Sequence, residues 1–135
     1  MGLPGVGNTV RSSAKNPSFW EMEWTYSDTG GTPVLDEDQS DQHPDIAPTT
    51  AVADAGTGRT SVRFPKCLRA WVHALSFEAA SIATAANNVR PVPVSVDPAA
   101  GTMEVRFIAA NGGSAPIDPP EANGRVRLTL KLEYV

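Results

Sequence analysis

The residues in this sequence that could do chemistry are few and scattered. Gly56-Thr-Gly-Arg-Thr-Ser61 has the outline of a phosphate loop. A Walker loop needs a glycine, four residues, then Gly-Lys and a hydroxyl residue opening a helix. Ala53 stands at the first position, Arg59 replaces the lysine, and a strand pattern comes next. With no helix N-terminus to hold phosphate, the segment reads as a turn entering a strand. Gly5-Val-Gly7 lacks the preceding strand and third glycine of a dinucleotide fingerprint. Asp36-Glu-Asp-Gln-Ser-Asp41 suggests a calcium loop, but an EF-hand needs Gly at its sixth position and Glu at its twelfth. Those positions hold Asp41 and Ala47, so a solvated acidic loop is expected and only a looser surface calcium site stays open. His43 and His73 are the histidines. Without a cysteine pair they fall short of a zinc site, although carboxylates could complete one. No Gly-x-Ser-x-Gly elbow presents a nucleophile. Cys67 has Lys66 and Arg69 close in sequence, which would lower its pKa; the alternative is a small apolar residue in a strand. The expectation is a protein that is not an enzyme, with no catalytic residue, no cofactor and no metal.

Aromatic side chains form the constellation that remains. In Phe19 to Tyr26, Trp20, Met22, Trp24 and Tyr26 share one phase, and Phe19, Glu21, Glu23 and Thr25 the other. Such a row can stack on sugars or bases, but large aromatics more often fill cores, and core is the favoured reading of Trp20 and Trp24. Trp71 stands in the opposite phase of its strand, beside Arg69 and His73. An exposed Trp next to Arg is a typical interface anchor, and for Trp71 both a core and an interface position stay open.

The elements that must position these residues are strands. Twelve prolines and eleven glycines in 135 residues argue against long helices and suit short strands joined by turns. Arg59 to Pro65 alternates with Val62 and Phe64 inward. Cys67 to Phe77 continues with Leu68, Ala70, Val72 and Ala74 on one face and Cys67, Arg69, Trp71 and His73 on the other. Glu78 to Ala86 suits a short helical turn, and Asn87-Asn88 a chain reversal. In Arg90 to Val96, Pro91 and Pro93 demote the segment to an edge or bulged strand. Asp97-Pro-Ala-Ala-Gly101 turns into Thr102 to Ile108, and 111 to 123 is a proline-rich loop. Arg125 to Val135 alternates without a break, with Val126, Leu128, Leu130, Leu132 and Tyr134 on one face, the mark of an antiparallel sheet wet on one side. The expected fold is all-β, an antiparallel β-sandwich or jelly roll.

Two segments fall outside that pattern. Residues 1 to 17 have no hydrophobic period and read as an extended N-terminal arm; residues 18 to 135 form one β domain. Within it, about 28 to 54 is a long acidic loop with one short strand near Ile46 or Val52. Loops of that length usually serve function or partner contact. The loop holds seven acids and no Lys or Arg, the arm carries Arg11 and Lys15 and no acid, and residues 55 to 135 hold nine bases and six acids. This split suits head-to-tail contacts between like subunits. The candidate interface is Arg11, Lys15, Asp36, Glu37, Asp38, Asp41 and Trp71. The net charge of −4 opposes nucleic-acid binding. The lone cysteine excludes an internal disulfide, Met1 to Ser13 has no leader pattern, and no apolar run reaches the length of a membrane span. A soluble protein made in a reducing cytoplasm is expected.

Three stretches carry a resemblance: Gly-Thr-Gly-Arg-Thr-Ser-Val-Arg-Phe-Pro (56 to 65), Val-Ser-Val-Asp-Pro-Ala-Ala-Gly-Thr-Met-Glu-Val-Arg-Phe (94 to 107) and Asn-Gly-Arg-Val-Arg-Leu-Thr-Leu-Lys-Leu-Glu-Tyr-Val (123 to 135). In style, though not in a defined motif, the chain resembles small β-rich structural proteins of tailed bacteriophage virions. The resemblance covers the C-terminal part of the chain, not the arm or the acidic loop. It implies a virion structural protein, of capsid decoration or cement type, made in the host cytoplasm. It implies a homo-oligomer whose partners are like subunits and a major capsid or other virion protein. A tail, neck or fibre component is the neighbouring alternative. A carbohydrate-binding β-sandwich using Trp20, Trp24 or Trp71 is the alternative from another class.

Overall fold

The computed structural model describes residues 18–26, 32–79, 89–109, 117 and 124–134. The arm with Arg11 and Lys15, the helical turn expected after Glu78, the Asn87-Asn88 reversal and nearly all of the 111–123 loop lie outside the described residues. Among the described residues eight strands run in order: β1 (Ser18–Tyr26), β2 (Pro33–Leu35), β3 (Val52–Gly56), β4 (Arg59–Arg63), β5 (Arg69–Glu78), β6 (Val89–Asp97), β7 (Thr102–Ala109) and β8 (Arg125–Glu133). They form two antiparallel four-stranded sheets, β2-β1-β8-β5 and β3-β4-β7-β6. The sheets pack face to face as a β-sandwich, the all-β architecture expected from the alternation.

The core keeps to the period-two pattern. Trp20, Met22, Trp24 and Tyr26 of β1 and Val126, Leu128, Leu130 and Leu132 of β8 are buried. Val62 and Phe64 face them with Met103, Val105 and Phe107 of β7. Each such side chain contributes about 2 kcal/mol by leaving water. The aromatic row of β1 is therefore core, and Trp20 and Trp24 offer no binding surface. Tyr26 and Phe77 from one sheet both meet Phe107 of the other edge-on, with ring centroids 5.5 and 5.1 Å apart.

Two tight turns require glycine. Gly58 has φ +64, and an added Cβ would lie 2.5 Å from the Ile117 carbonyl oxygen. Gly101 has φ +69, and its Cβ would lie 2.4 Å from the Phe64 carbonyl oxygen. Both positions combine left-handed backbone with a close approach that only glycine permits.

The prolines of β6 act as expected. It is an edge strand, and its register with β7 shifts between Val94 and Asp97, where Ser95 takes a positive φ of 56.

One expectation needs correction. Alternation through residues 67 to 77 fails at His73: the register of β5 on β8 shifts between Val72 and Ala74. His73 is the extra residue of a bulge, and a bulge reverses the phase of the residues after it. Ala74 is exposed while Leu75 and Phe77 pack on the core, and Leu68, ahead of the strand, is exposed. In the acidic segment the short strand expected near Val52 is present, and further short elements precede it. The segment contains β2, 3-10 turns at Glu37–Gln39 and Pro48–Thr50, a His43–Ile46 bridge and the start of β3 at Val52.

Candidate functional site

The outer face of the β2-β1-β8-β5 sheet gathers the chemistry. Across three strands Phe19 pairs with Lys131, and Lys131 with Trp71. Odd-numbered residues of β1 and β8 point outward, so the three side chains form one row on the wet side. Trp71 is 45% exposed and Phe19 43%. The Lys131 ammonium stands 5.7 Å from the Phe19 ring centroid, within cation–π range. His73 packs edge-on against Phe19 with centroids 5.3 Å apart. The bulge makes this contact possible, because it frees His73 from the regular alternation of its strand.

Beyond the aromatic row the same face is ionic. Glu23 lies in the outward phase yet is only 6% exposed. Both Arg125 and Arg127 donate to its carboxylate, Arg127 Nε at 2.9 Å. Its backbone N–H donates to Ser40 Oγ at 3.0 Å, and Ser40 Oγ donates to the Glu23 carbonyl at 3.2 Å. Arg69 and Glu133 form a looser pair at 3.4 Å at the opposite end of the face.

The acidic residues singled out from sequence lie along the free edge of β1. β2 covers that edge only opposite Trp24, Thr25 and Tyr26. Residues 36 to 41 cover the next part. The Asp36 N–H donates to the Glu23 carbonyl at 2.9 Å, and the Asp41 N–H to the Glu21 carbonyl at 2.8 Å. The Asp41 carboxylate accepts the Glu21 N–H at 2.8 Å. The segment thus protects an edge strand, and Asp41 has a structural task. Glu37 and Asp38 are exposed and Asp36 half-buried. The structure does not bring these acids beside Trp71, since β1 and β8 separate them.

Cys67 lies in the connection before β5, and its thiol donates to the Arg69 carbonyl at 3.2 Å. Burial pushes the thiol pKa up, the opposite of what Lys66 and Arg69 would do. Burial, with the nearby Cys67, also raises the Tyr134 phenol. His43 and Asp45 line an open cleft of about 370 Å³ together with Arg63 and Lys66. Among the described residues no three His, Cys, Asp or Glu side chains gather as a metal site, and no helix is long and apolar enough to cross a membrane.

On the opposite sheet, Glu104 accepts from Arg59 Nε and Nη2 at 3.0 and 2.8 Å and from Arg106 Nε at 3.2 Å. The Arg59 guanidinium holds the Glu104 carboxyl below its usual range, with Arg106 adding to the effect.

Sequence reasoning placed Trp71 and His73 on one face but missed Phe19 and Lys131 as their neighbours. The outward phase of Phe19 and Lys131 was legible, but the register that places them in one row was not. No protein-family model matches the chain, and neither a curated protein nor a solved structure matches it.

Proposed function

We propose that the protein is a non-enzymatic structural subunit of a bacteriophage particle, of capsid decoration or cement type, located in the virion. It binds a repeating protein surface, a major capsid or other virion protein, through the outer face of the β2-β1-β8-β5 sheet. The observation behind this reading is the exposed row Phe19–Lys131–Trp71 with His73 beside it. Exposed aromatics beside cations are what interface hot spots are made of, and the surrounding Glu23–Arg125–Arg127 network suits a polar rim. A tail, neck or fibre position would use the same surface.

Mass spectrometry and immunogold labelling of gradient-purified particles from cells encoding the chain test this reading. The chain is expected in many copies on each particle. The double variant Phe19→Ser/Trp71→Ser should fold and fail to bind particles stripped of the protein. Absence of the chain from purified particles overturns the reading.

One observation favours a second reading. Trp71 and Phe19 stand two strands apart on a sheet face, about 10 Å at normal strand spacing, a platform that fits sugar rings. A carbohydrate-binding module would then rest on Trp71, because Trp20 and Trp24 are buried. Titration of Trp71 fluorescence with a glycan panel tests it, and no response removes it.

A further inference from the structure

The four edge strands of this sandwich are not alike. β2 has three residues, β3 has five and includes Asp54, and β6 carries Pro91 and Pro93. Short length, charge and proline all discourage a further strand from adding. β5 has ten residues, Arg-Ala-Trp-Val-His-Ala-Leu-Ser-Phe-Glu, and none is proline. It pairs with β8 on one side, and no described strand bridges to the other. Not one of its residues is buried, although Ala70, Val72, Leu75 and Phe77 pack on the core. The corresponding inward residues of β8, with a strand on each side, are completely covered. Among the described residues the apolar layer of this sheet therefore stops at β5.

We propose that β5 pairs antiparallel with β5 of a second copy of this chain, about a twofold axis between His73 and Ala74, with Arg69 opposite Glu78 of the partner. The two β2-β1-β8-β5 sheets then run on as one eight-stranded sheet. This deepens the like-subunit part of the proposed function by naming the surface and its register.

The bulge makes this register possible. In an unbroken strand, a twofold axis between two adjacent residues sets outward side chains against inward ones. The extra residue at His73 reverses the phase halfway along β5. Arg69, Trp71, His73, Ala74, Ser76 and Glu78 then share the outer side, and Ala70, Val72, Leu75 and Phe77 the inner side. Pairing about the proposed axis now matches outward with outward and inward with inward at every step. The sizes also complement: Trp71 meets Ser76, Ala70 meets Phe77, and Val72 meets Leu75. The opposite charges at the two ends meet in both symmetry-related positions, as an isologous interface requires.

Sedimentation of the full chain from about 1 to about 200 μM reads the association directly. A reversible dimer is expected. Arg69→Glu and Glu78→Arg each set like charges opposite one another twice per dimer and should weaken association about tenfold. The exchanged double variant Arg69→Glu/Glu78→Arg should regain most of it, which lost folding could not imitate. Hydrogen exchange on the wild-type chain adds a readout free of substitutions: β5 amides should gain protection as concentration rises, while those of β3 and β6 should not. A monomer throughout the range, single reversals without effect, no rescue in the exchanged variant, or protection elsewhere than β5 would each overturn the proposal. A chain present in purified particles but monomeric alone would overturn this pairing and leave the virion reading standing.

Discussion

The hydroxyls of Tyr26 and Thr60 meet 2.8 Å apart in the middle of the sandwich, one from each sheet. The Tyr26 oxygen also accepts the indole N–H of Trp24 at 3.0 Å. All three residues are buried, so this polar chain crosses the apolar interior and ties β1 to β4.

Tyr26→Phe removes the oxygen that serves both neighbours. It leaves the Trp24 N–H and the Thr60 hydroxyl without that partner in an apolar setting, a loss of about 2–3 kcal/mol. Thr60→Val keeps the Trp24–Tyr26 bond and should cost less. Urea unfolding midpoints for the two variants, at unchanged slope, check the order.

Gly58→Ala should destabilise by about 2 kcal/mol or more, because the left-handed backbone alone costs an alanine about 1–2 kcal/mol. The added methyl also meets the Ile117 backbone. Ile117 cannot easily yield, since its N–H donates to the Phe107 carbonyl at 2.9 Å. Gly56 also has a strained φ, +124, but an added Cβ there would meet only the flexible Arg59 side chain at 4.0 Å, so Gly56→Ala carries a backbone cost without the clash and should cost less. Thermal unfolding of both variants gives the comparison.

Glu104 carries an acid-dependent share of stability. Its folded pKa is depressed by Arg59 and then Arg106, so its contribution is complete above the ordinary carboxylate range. That contribution is lost as pH falls through the depressed folded value. Glu104→Gln should therefore be less stable than wild type near neutral pH and converge with it in acid. A stability–pH profile of the two proteins checks the sign, and an NMR titration of the Glu104 carboxyl checks the cause.

Cys67 should be a slow nucleophile. Burial raises its pKa above the ordinary thiol value, so less thiolate is present at neutral pH. Alkylation by iodoacetamide should run slower than for a solvent-exposed cysteine peptide, and unfolding should remove the difference. A faster reaction in the folded protein contradicts this assignment.

Much of the fold was legible in the order of residues. The unbroken alternation of 125 to 134 could only be a strand with one buried face, and Trp20 to Tyr26 could bury their area only by facing a core. The proline pair of β6 marked it as an edge or bulged strand, because proline has no N–H to donate to a ladder. The acidic segment was less legible. Its hydrogen bonds go to the backbone of β1, and backbone groups leave no trace in side-chain pattern.

The sequence by itself determined which faces of most strands are apolar, where several of the turns fall, and that Trp71 stands in phase with Arg69 and His73; its exposure came from the structure. Those properties come from side-chain type and from the period of two, which are local. Only the tertiary structure decided that Phe19, Lys131 and Trp71 share a row and that His73 is a bulge. It also decided that β5 comes last in its sheet, with no described strand paired on its far side. Register and strand order are relations between distant segments, set by how two sheets close over one core, and no local pattern contains them.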